Sequence, residues 1–281
     1  VAVQQERNSV EAFVYAKQDL GQDWLLGLGY RKNVPVGEVP SYHSAQLSLR
    51  KQLASGQVLR LGAGQYHHYV LPGNGQPNTG LIRSRQVSLD YSGTKGGLNW
   101  QFSAFAKQSR RPDATQHLQG AELFVAYQAG TKLSTSLSAT SMFSRLSDTE
   151  MARRSAYDLP VFLKLQSTYS FTPDWDLSLV ATGRSGLWEA PITDAQFVSD
   201  LSVWEPTARG PFERLAPYHK VDLSLSRRWL RGEQVWIAFV SVNNLLNQAN
   251  TQRFKYAVDY SSRTAALFSL RSVYFGVICR W

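Results

Sequence analysis

Apolar and polar residues alternate along most of this chain, the period of two that puts one set on each face of a β-strand. Over Lys132–Ser141, Leu133, Thr135, Leu137 and Ala139 face one way and Lys132, Ser134, Ser136, Ser138 and Thr140 the other. Val161–Phe171 sets Val161, Leu163, Leu165, Tyr169 and Phe171 against Lys164, Gln166, Thr168 and Ser170. Tyr218–Trp229 sets Val221, Leu223, Leu225 and Trp229 against Lys220, Asp222, Ser224, Ser226 and Arg228. Thirteen stretches carry this patterning, and the connectors between them alternate between short and long. The short ones fall near Leu20, Ser55, Thr94, Gly130, Pro173 and Arg231. The long ones are Asn33–Ser41, Leu71–Gly80, Ser109–Gln116, Ser144–Ala156, Leu187–Ala216 and Gln248–Ala266.

A soluble sandwich also alternates, with its polar side toward bulk water. Length separates the two cases. These stretches run to about 10–14 residues, whereas soluble strands have a mode of about 5–6 and tilted membrane-crossing strands need about 9–11. Tight turns at one rim and long loops at the other are the asymmetry of an outer-membrane barrel. The chain is therefore read as all-β, an antiparallel transmembrane β-barrel with about 13 strands visible. Hydrocarbon offers no hydrogen-bond partners, so such a wall must have no free edge. If the last strand descends to the periplasm, counting back makes the first strand, Ser9–Lys17, descend too and puts Val1–Asn8 outside the cell. Bacterial barrels of even strand number begin in the periplasm. The expectation is thus a fragment with at least one strand before Val1, unless an early strand is miscounted or Arg253–Tyr260 pairs as an additional strand.

Composition changes this picture little. The chain is 43% hydrophobic yet has no run of about 20 apolar residues, which excludes a helical membrane span. Aromatics make up 12% and many close the strands, among them Trp24, Tyr30, Trp100, Tyr127, Trp175 and Trp229. Amphipathic rings settle at the headgroup level. The net charge of +9 is scattered rather than clustered, which argues against nucleic acid and for anionic ligands or lipopolysaccharide phosphates. Cys279 is the only cysteine, so an intrachain disulfide is excluded; its neighbours place it on an apolar strand face.

The last part of the chain carries a more specific signal. Arg214–Leu225 reads RLAPYHKVDLSL, Val235–Asn247 reads VWIAFVSVNNLLN, and Tyr274–Trp281 reads YFGVICRW. In order and spacing these resemble the closing strands of TonB-dependent outer-membrane receptors, with Leu246 in place of a common Phe and Trp281 in place of a common terminal Phe. Gly62–Tyr69, the Pro/Gly/Asn-rich Pro72–Gly80, Ser84–Tyr91 and Phe102–Lys107 resemble the family's middle strands and an outer loop more loosely. The resemblance implies a barrel of about 22 strands with a plugged lumen. This chain would be its C-terminal portion, 1–281, without the N-terminal plug. It also implies a cell outer-membrane, multi-pass location and uptake of a scarce ligand, a ferric siderophore by default, with energy coupled through the TonB complex by way of the plug.

Binding residues in such a receptor belong on long loops held by a rigid scaffold. Leu187–Ala216 is the first candidate: Trp188, Trp204, Arg209, Phe212 and Arg214, with Phe197, offer aromatics and Arg that can grip planar or anionic ligands. The alternative is a loop whose aromatics pack on each other. His67 and His68, flanked by Tyr66 and Tyr69, lie where a strand meets its outer loop. Being adjacent, only one of the two can face the lumen. Arg110, Arg111, Arg153 and Arg154 place paired positive charge on outer loops. Phe275, Val277 and Trp281 form an apolar face ending in an aromatic carboxyl terminus, which resembles the signal read by the barrel-assembly machinery. No cofactor and no metal site is expected.

Two other classes compete. A passive porin-like channel would need no plug. An outer-membrane hydrolase would need a nucleophile, a base and an orienting group together, and none of His43, His67, His68, His117 or His219 sits in a motif that connects to a Ser or Asp.

Overall fold

The computed structural model describes residues 9–35, 40–53, 56–70, 80–111, 114–148, 152–154 and 158–281. Its regular secondary structure there is β-strand apart from one 3₁₀ residue at Gly56. The strands are β1 Ser9–Gly21, β2 Trp24–Pro35, β3 Tyr42–Gln52, β4 Val58–Val70, β5 Gly80–Lys95, β6 Leu98–Arg110, β7 Ala114–Ala129, β8 Leu133–Asp148, β9 Ala152–Arg154 and β10 Leu159–Thr172. They continue as β11 Trp175–Arg184, β12 Trp188–Glu189, β13 Ile192–Val198, β14 Val203–Arg209, β15 Glu213–Arg214, β16 Tyr218–Arg231, β17 Gln234–Asn243, β18 Thr251–Tyr256, β19 Arg263–Leu267 and β20 Ser272–Arg280. Thirteen of them follow one another in hydrogen-bonded order, β1 to β8, then β10, β11, β16, β17 and β20, with β9 paired to β8. Among the described residues the wall has thirteen strands in sequence, the number expected.

Turn chemistry explains where the short connections fall. Gln22 and Asp23 (φ 49° and 65°), Gly96 and Gly97 (56° and 80°), Gly130 (57°) and Gly232 (62°) all adopt the left-handed conformation that a tight hairpin demands. At Gly97 a side chain would also meet the Gln128 carbonyl oxygen, so only glycine fits that turn.

Two compact units make up the chain: residues 1–95 with 101–121 and 144–153, and residues 96–100 with 122–143 and 154–281. In the first, register aligns Leu26, Leu49, Leu61 and Leu89 in one row across β2 to β5, and Leu28, Leu47, Ala63 and Val87 in the next. The opposite face carries Gly27, Ser48, Gly62 and Ser88. In the second unit, Leu133, Tyr169, Leu177, Leu225, Val240 and Phe275 form one row across six strands. One residue away runs the row Ser134, Thr168, Ser178, Ser224, Ser241 and Tyr274. Hydroxyls in that row bond across strands, Thr168 to Ser178 at 3.0 Å and Ser224 to Ser241 at 2.7 Å.

Burial is inverted relative to a soluble sheet. Tyr42, Ile82 and Leu215 are the buried hydrophobics among the described residues, and the fully buried side chains are polar: Asn33, Ser144, Asp158 and Asn244. Leu28, Leu47, Leu61, Val87, Leu163, Tyr169, Val240 and Phe275 are exposed. A monomer in water rarely exposes a contiguous apolar patch of more than a few hundred Å². Rows of Leu, Val and Phe facing outward fit a hydrocarbon solvent instead.

Two expectations need correction. The long connectors Leu187–Ala216 and Gln248–Ala266 are not loops but hold strands of their own: β12 pairs with β15, β13 with β14, and β18 with β19, all off the wall. Arg253–Tyr260 accordingly adds no wall strand. The connector expected over Ser109–Gln116 is shorter, because β6 runs on to Arg110 and β7 starts at Ala114; polar ends dilute alternation there without ending the ladder. Val1–Asn8, most of Leu71–Gly80 and the side chains of Arg153 and Arg154 lie outside the described residues.

Candidate functional site

The connector from β11 to β16 leaves the wall and returns through one clasp. Asp158, just before β10, is fully buried. Its Oδ2 accepts Trp188 Nε1–H at 2.8 Å and Arg214 Nη2–H at 2.9 Å. Arg214 Nη1 donates to the Gly186 carbonyl at 2.9 Å, and its guanidinium lies 4.5 Å from the Trp188 ring centroid. Trp188 and Arg214 are direct cross-strand partners in the β12–β15 pair. Gly186 has to be glycine, since a Cβ would collide with the Leu215 carbonyl oxygen. Arg214 remains 27% exposed while Asp158 is 0% exposed, so one buried carboxylate is neutralised by a cation that still touches solvent.

Beyond the clasp the hairpin β13–β14 projects with its aromatics outward. Phe197 and Trp204 are cross-strand partners with ring centroids 5.6 Å apart, both exposed. Arg209 closes β14 and donates through Nη1 to the Ala190 carbonyl at 3.4 Å. Phe212 is half-buried between β14 and β15. The next excursion braces this one: the Tyr256 hydroxyl of β18 accepts the Ile192 backbone N–H at 2.9 Å, and Arg263 of β19 forms an ion pair with Glu213.

The structure thus brings Trp188 together with Arg214, and Phe197 with Trp204. His67 and His68 lie in the other unit. There the β3–β4 ladder ends at Ala45↔Gln65. Past it, Ser44 meets His67 at 3.3 Å rather than Tyr66, one residue out of step. His67 fills the seam that opens, its ring 5.4 Å from Tyr42 and 6.3 Å from His43, while His68 stays exposed. Being adjacent on β4, the two rings take opposite faces, and His67 shares its face with Gln65. Around the seam, Tyr69 donates to Asn33 Oδ1 at 2.9 Å and Asn33 donates to Glu11 at 2.9 Å. The Ser44–His67 contact is not the start of a triad. The other ring nitrogen faces the Gln65 amide at 3.5 Å, and an amide cannot stabilise an imidazolium as a carboxylate does.

The motifs near the carboxyl end prove to be joinery. Asn244 and Asn247 both adopt positive φ, 51° and 52°, as β17 ends. Buried Asn244 accepts the Gln248 N–H at 3.0 Å and donates to the Gln248 and Ser269 carbonyls. Its own N–H reaches the carboxylate of Asp222 on β16 at 2.8 Å, and Asn247 Oδ1 accepts the Arg271 N–H at 3.0 Å. Asn250 completes the set by pairing with both backbone groups of His219, at 2.9 and 2.7 Å. Phe275 at 84%, Val277 at 62% and Trp281 at 95% exposure stand on the outward face of and just past β20. Asp158 and Asn250 are the positions that sequence reasoning missed. Neither lies in a recognisable motif, and a lone Asp at a strand root was the one available signal.

No protein-family model matches the chain, and no curated protein does. Solved structures do. The ferripyoverdine receptor of the outer membrane of Pseudomonas aeruginosa superposes with a TM-score of 0.66 at 14% identity, over 96% of this chain and 38% of that one. The FrpB iron transporter from Neisseria meningitidis gives 0.67 at 15% identity, over 96% and 45%. The ferric citrate transporter FecA in its unliganded form gives 0.72 at 13% identity, over 98% and 45%. The chain spans less than half the length of each of these proteins. At this identity the likeness is one of fold: an all-β antiparallel wall of the kind found in the barrels of TonB-dependent outer-membrane receptors.

Proposed function

We propose that this chain is the C-terminal part of the barrel of an outer-membrane receptor that captures a scarce ligand at the cell surface and imports it with energy supplied through TonB. The observation that carries this reading is the connector between β11 and β16, a folded hairpin pinned at its root by the Asp158–Arg214–Trp188 clasp and showing Phe197, Trp204 and Arg209 to solvent. An aromatic hairpin anchored at its root suits ligand capture better than free diffusion of small solutes. With Trp188 and Arg214 committed to Asp158, ligand contact falls to Phe197, Trp204 and Arg209, with Phe212 behind them. Aromatic faces and a guanidinium suit a planar anionic chelate, and a ferric siderophore is the ligand class of choice. Iron in that role is cargo, not a resident cofactor.

In this reading the plug and its TonB-contact segment belong to the rest of the receptor. Phe275, Val277 and Trp281 are recognised by the barrel-assembly machinery during insertion, and the outward surface meets outer-membrane lipid and lipopolysaccharide. The test is uptake of radiolabelled ferric siderophores by cells carrying the full receptor. Import that requires TonB and falls on Trp204→Ala with Arg209→Ala supports the reading. TonB-independent import, or ion conductance by the purified full-length protein in planar bilayers without ligand, contradicts it.

A further inference from the structure

The outward rows of β4, β5 and β6 do not stay apolar to their upper ends, where the longer connections lie. On β4, Leu59, Leu61 and Ala63 are followed on the same face by Gln65. On β5, Leu89 and Val87 give way to Arg85 and Arg83, and on β6 Phe102, Ala104 and Ala106 give way to Gln108 and Arg110. Register puts Gln65 opposite Arg85, and Arg85 Nε donates to Gln65 Oε1 at 3.4 Å. The bonds Ser84–Ser109 at 2.9 Å and Ser103–Asp90 at 2.7 Å fix β5 against β6 with those four side chains on the polar face. Gln108 and Arg110 therefore fall beside Arg85 and Arg83 on the opposite, outward face. Together Gln65, Arg83, Arg85, Gln108 and Arg110 line one cleft of about 90 Å³.

Among the described residues, none of the three arginines forms an ion pair with a carboxylate. All three are exposed. Three guanidiniums that have no carboxylate partner among the described residues converge with two amides immediately past the end of a hydrocarbon-facing row. That is the depth at which lipid headgroups begin. Arginine presents a planar fork that matches phosphate oxygens two at a time, and the amides add neutral donors.

We infer that this cleft is a binding site for a phosphate monoester carried by a lipid of the outer leaflet, one phosphate per cleft. The inference rests on the membrane reading above. A free phosphate-bearing solute shares the chemistry, but the site's place at the rim of the apolar belt favours a phosphate tethered by acyl chains.

The experiment uses the full receptor in phosphatidylcholine nanodiscs doped with spin-labelled phosphatidic acid, and reads the motionally restricted lipid fraction. The triple variant Arg83→Gln, Arg85→Gln, Arg110→Gln is expected to lower affinity for phosphatidic acid about tenfold, near one basic contact's worth of surface attraction or more. Spin-labelled phosphatidylcholine should be unaffected, and the triple Arg→Lys variant should retain most of the effect through charge alone. Equal binding of phosphatidic acid by wild type and the Gln variant overturns the inference, as does competition by inorganic phosphate at the same concentration as lipid, which marks a site for a soluble anion. Each variant's barrel is checked by its heat-modifiable gel mobility. Failure of the wild-type protein to enter nanodiscs at all strikes the membrane reading itself, a result distinct from both.

Discussion

Two buried polar joints in the second unit hold the chain where it leaves the wall, and they work by different physics. The joint after β17 is made of neutral amides: Asn244, Asn247 and Asn250 satisfy backbone groups and one another's turn. Its residues lie within a few positions of one another, apart from the reach to Asp222, His219, Ser269 and Arg271 on flanking segments. The clasp at Asp158 is ionic and draws together residues 158, 186, 188 and 214. An amide joint loses about 0.5–1.5 kcal/mol per bond removed. A buried carboxylate stripped of its cation costs about 3–5 kcal/mol. The first shapes a turn that any strand of this wall could use; the second sets the position of one particular hairpin.

The largest expected effect follows from that difference. Arg214→Ala takes the Arg214 cation away from buried Asp158, and should destabilise by about 3–5 kcal/mol in urea unfolding of the detergent-solubilised protein, with new protease cleavage between residues 187 and 216. Asp158→Leu with Arg214→Met replaces the ions by apolar groups and should recover most of that loss. Recovery in the double variant would show that the single variant's cost is desolvated charge rather than lost shape.

Asn244→Ala comes next. It removes side-chain bonds to Gln248 and Ser269 and forces a β-carbon without a polar tip into left-handed backbone, for about 1–3 kcal/mol. Asn244→Gly keeps the backbone freedom and should cost less. Equal losses for Ala and Gly would mean that the bonds matter and the conformation does not. Smaller still is Trp204→Ala, which removes the cross-strand ring contact with Phe197 and should cost about 0.5–1.5 kcal/mol, confined to the β13–β14 hairpin. Hydrogen exchange localises it.

The smallest effect is a titration on the β18–β19 connection. Hydrogen bonds from the Ser261 hydroxyl and N–H hold the Asp259 carboxyl below the usual aspartate range. A folded-state pKa below the unfolded one contributes stability above the unfolded value, and that contribution fades as pH falls through the folded value. Ser261→Ala should move the Asp259 titration upward in NMR without a measurable change in global unfolding.

The contrast between the joints also explains what could be read in advance. Alternation in Lys132–Ser141, Val161–Phe171 and Tyr218–Trp229 named the wall strands because each side chain there answers to solvent or lipid on its own face. The Asn244–Asn247 motif was legible by its resemblance to the closing strands of a known family, although its partners Asp222, Ser269 and Arg271 lie on flanking segments. The hairpins inside Leu187–Ala216 were not. Ile192–Val198 reads ITDAQFV, too short and too mixed to show a period, and it is braced by the Tyr256 hydroxyl 64 residues on. Nor could Asp158 be found, since what marks it is a partner 56 residues away. Trp188, Trp204, Arg209, Phe212 and Arg214 could be named as candidates from composition alone, but their division into clasp and exposed hairpin needed three-dimensional contacts.

The central claim is that one parity of every wall strand faces hydrocarbon and the other an aqueous interior. Spin-label accessibility tests it most directly, on single cysteines placed in a Cys279→Ala background of the full protein in bilayers. Labels at Leu163, Leu165, Leu177, Leu225 and Val240 should collide with oxygen and be shielded from a water-soluble nickel chelate. Labels at Lys164, Gln166, Ser178, Ser224 and Ser241 should show the reverse. Equal exposure of both sets to the nickel chelate would contradict the account.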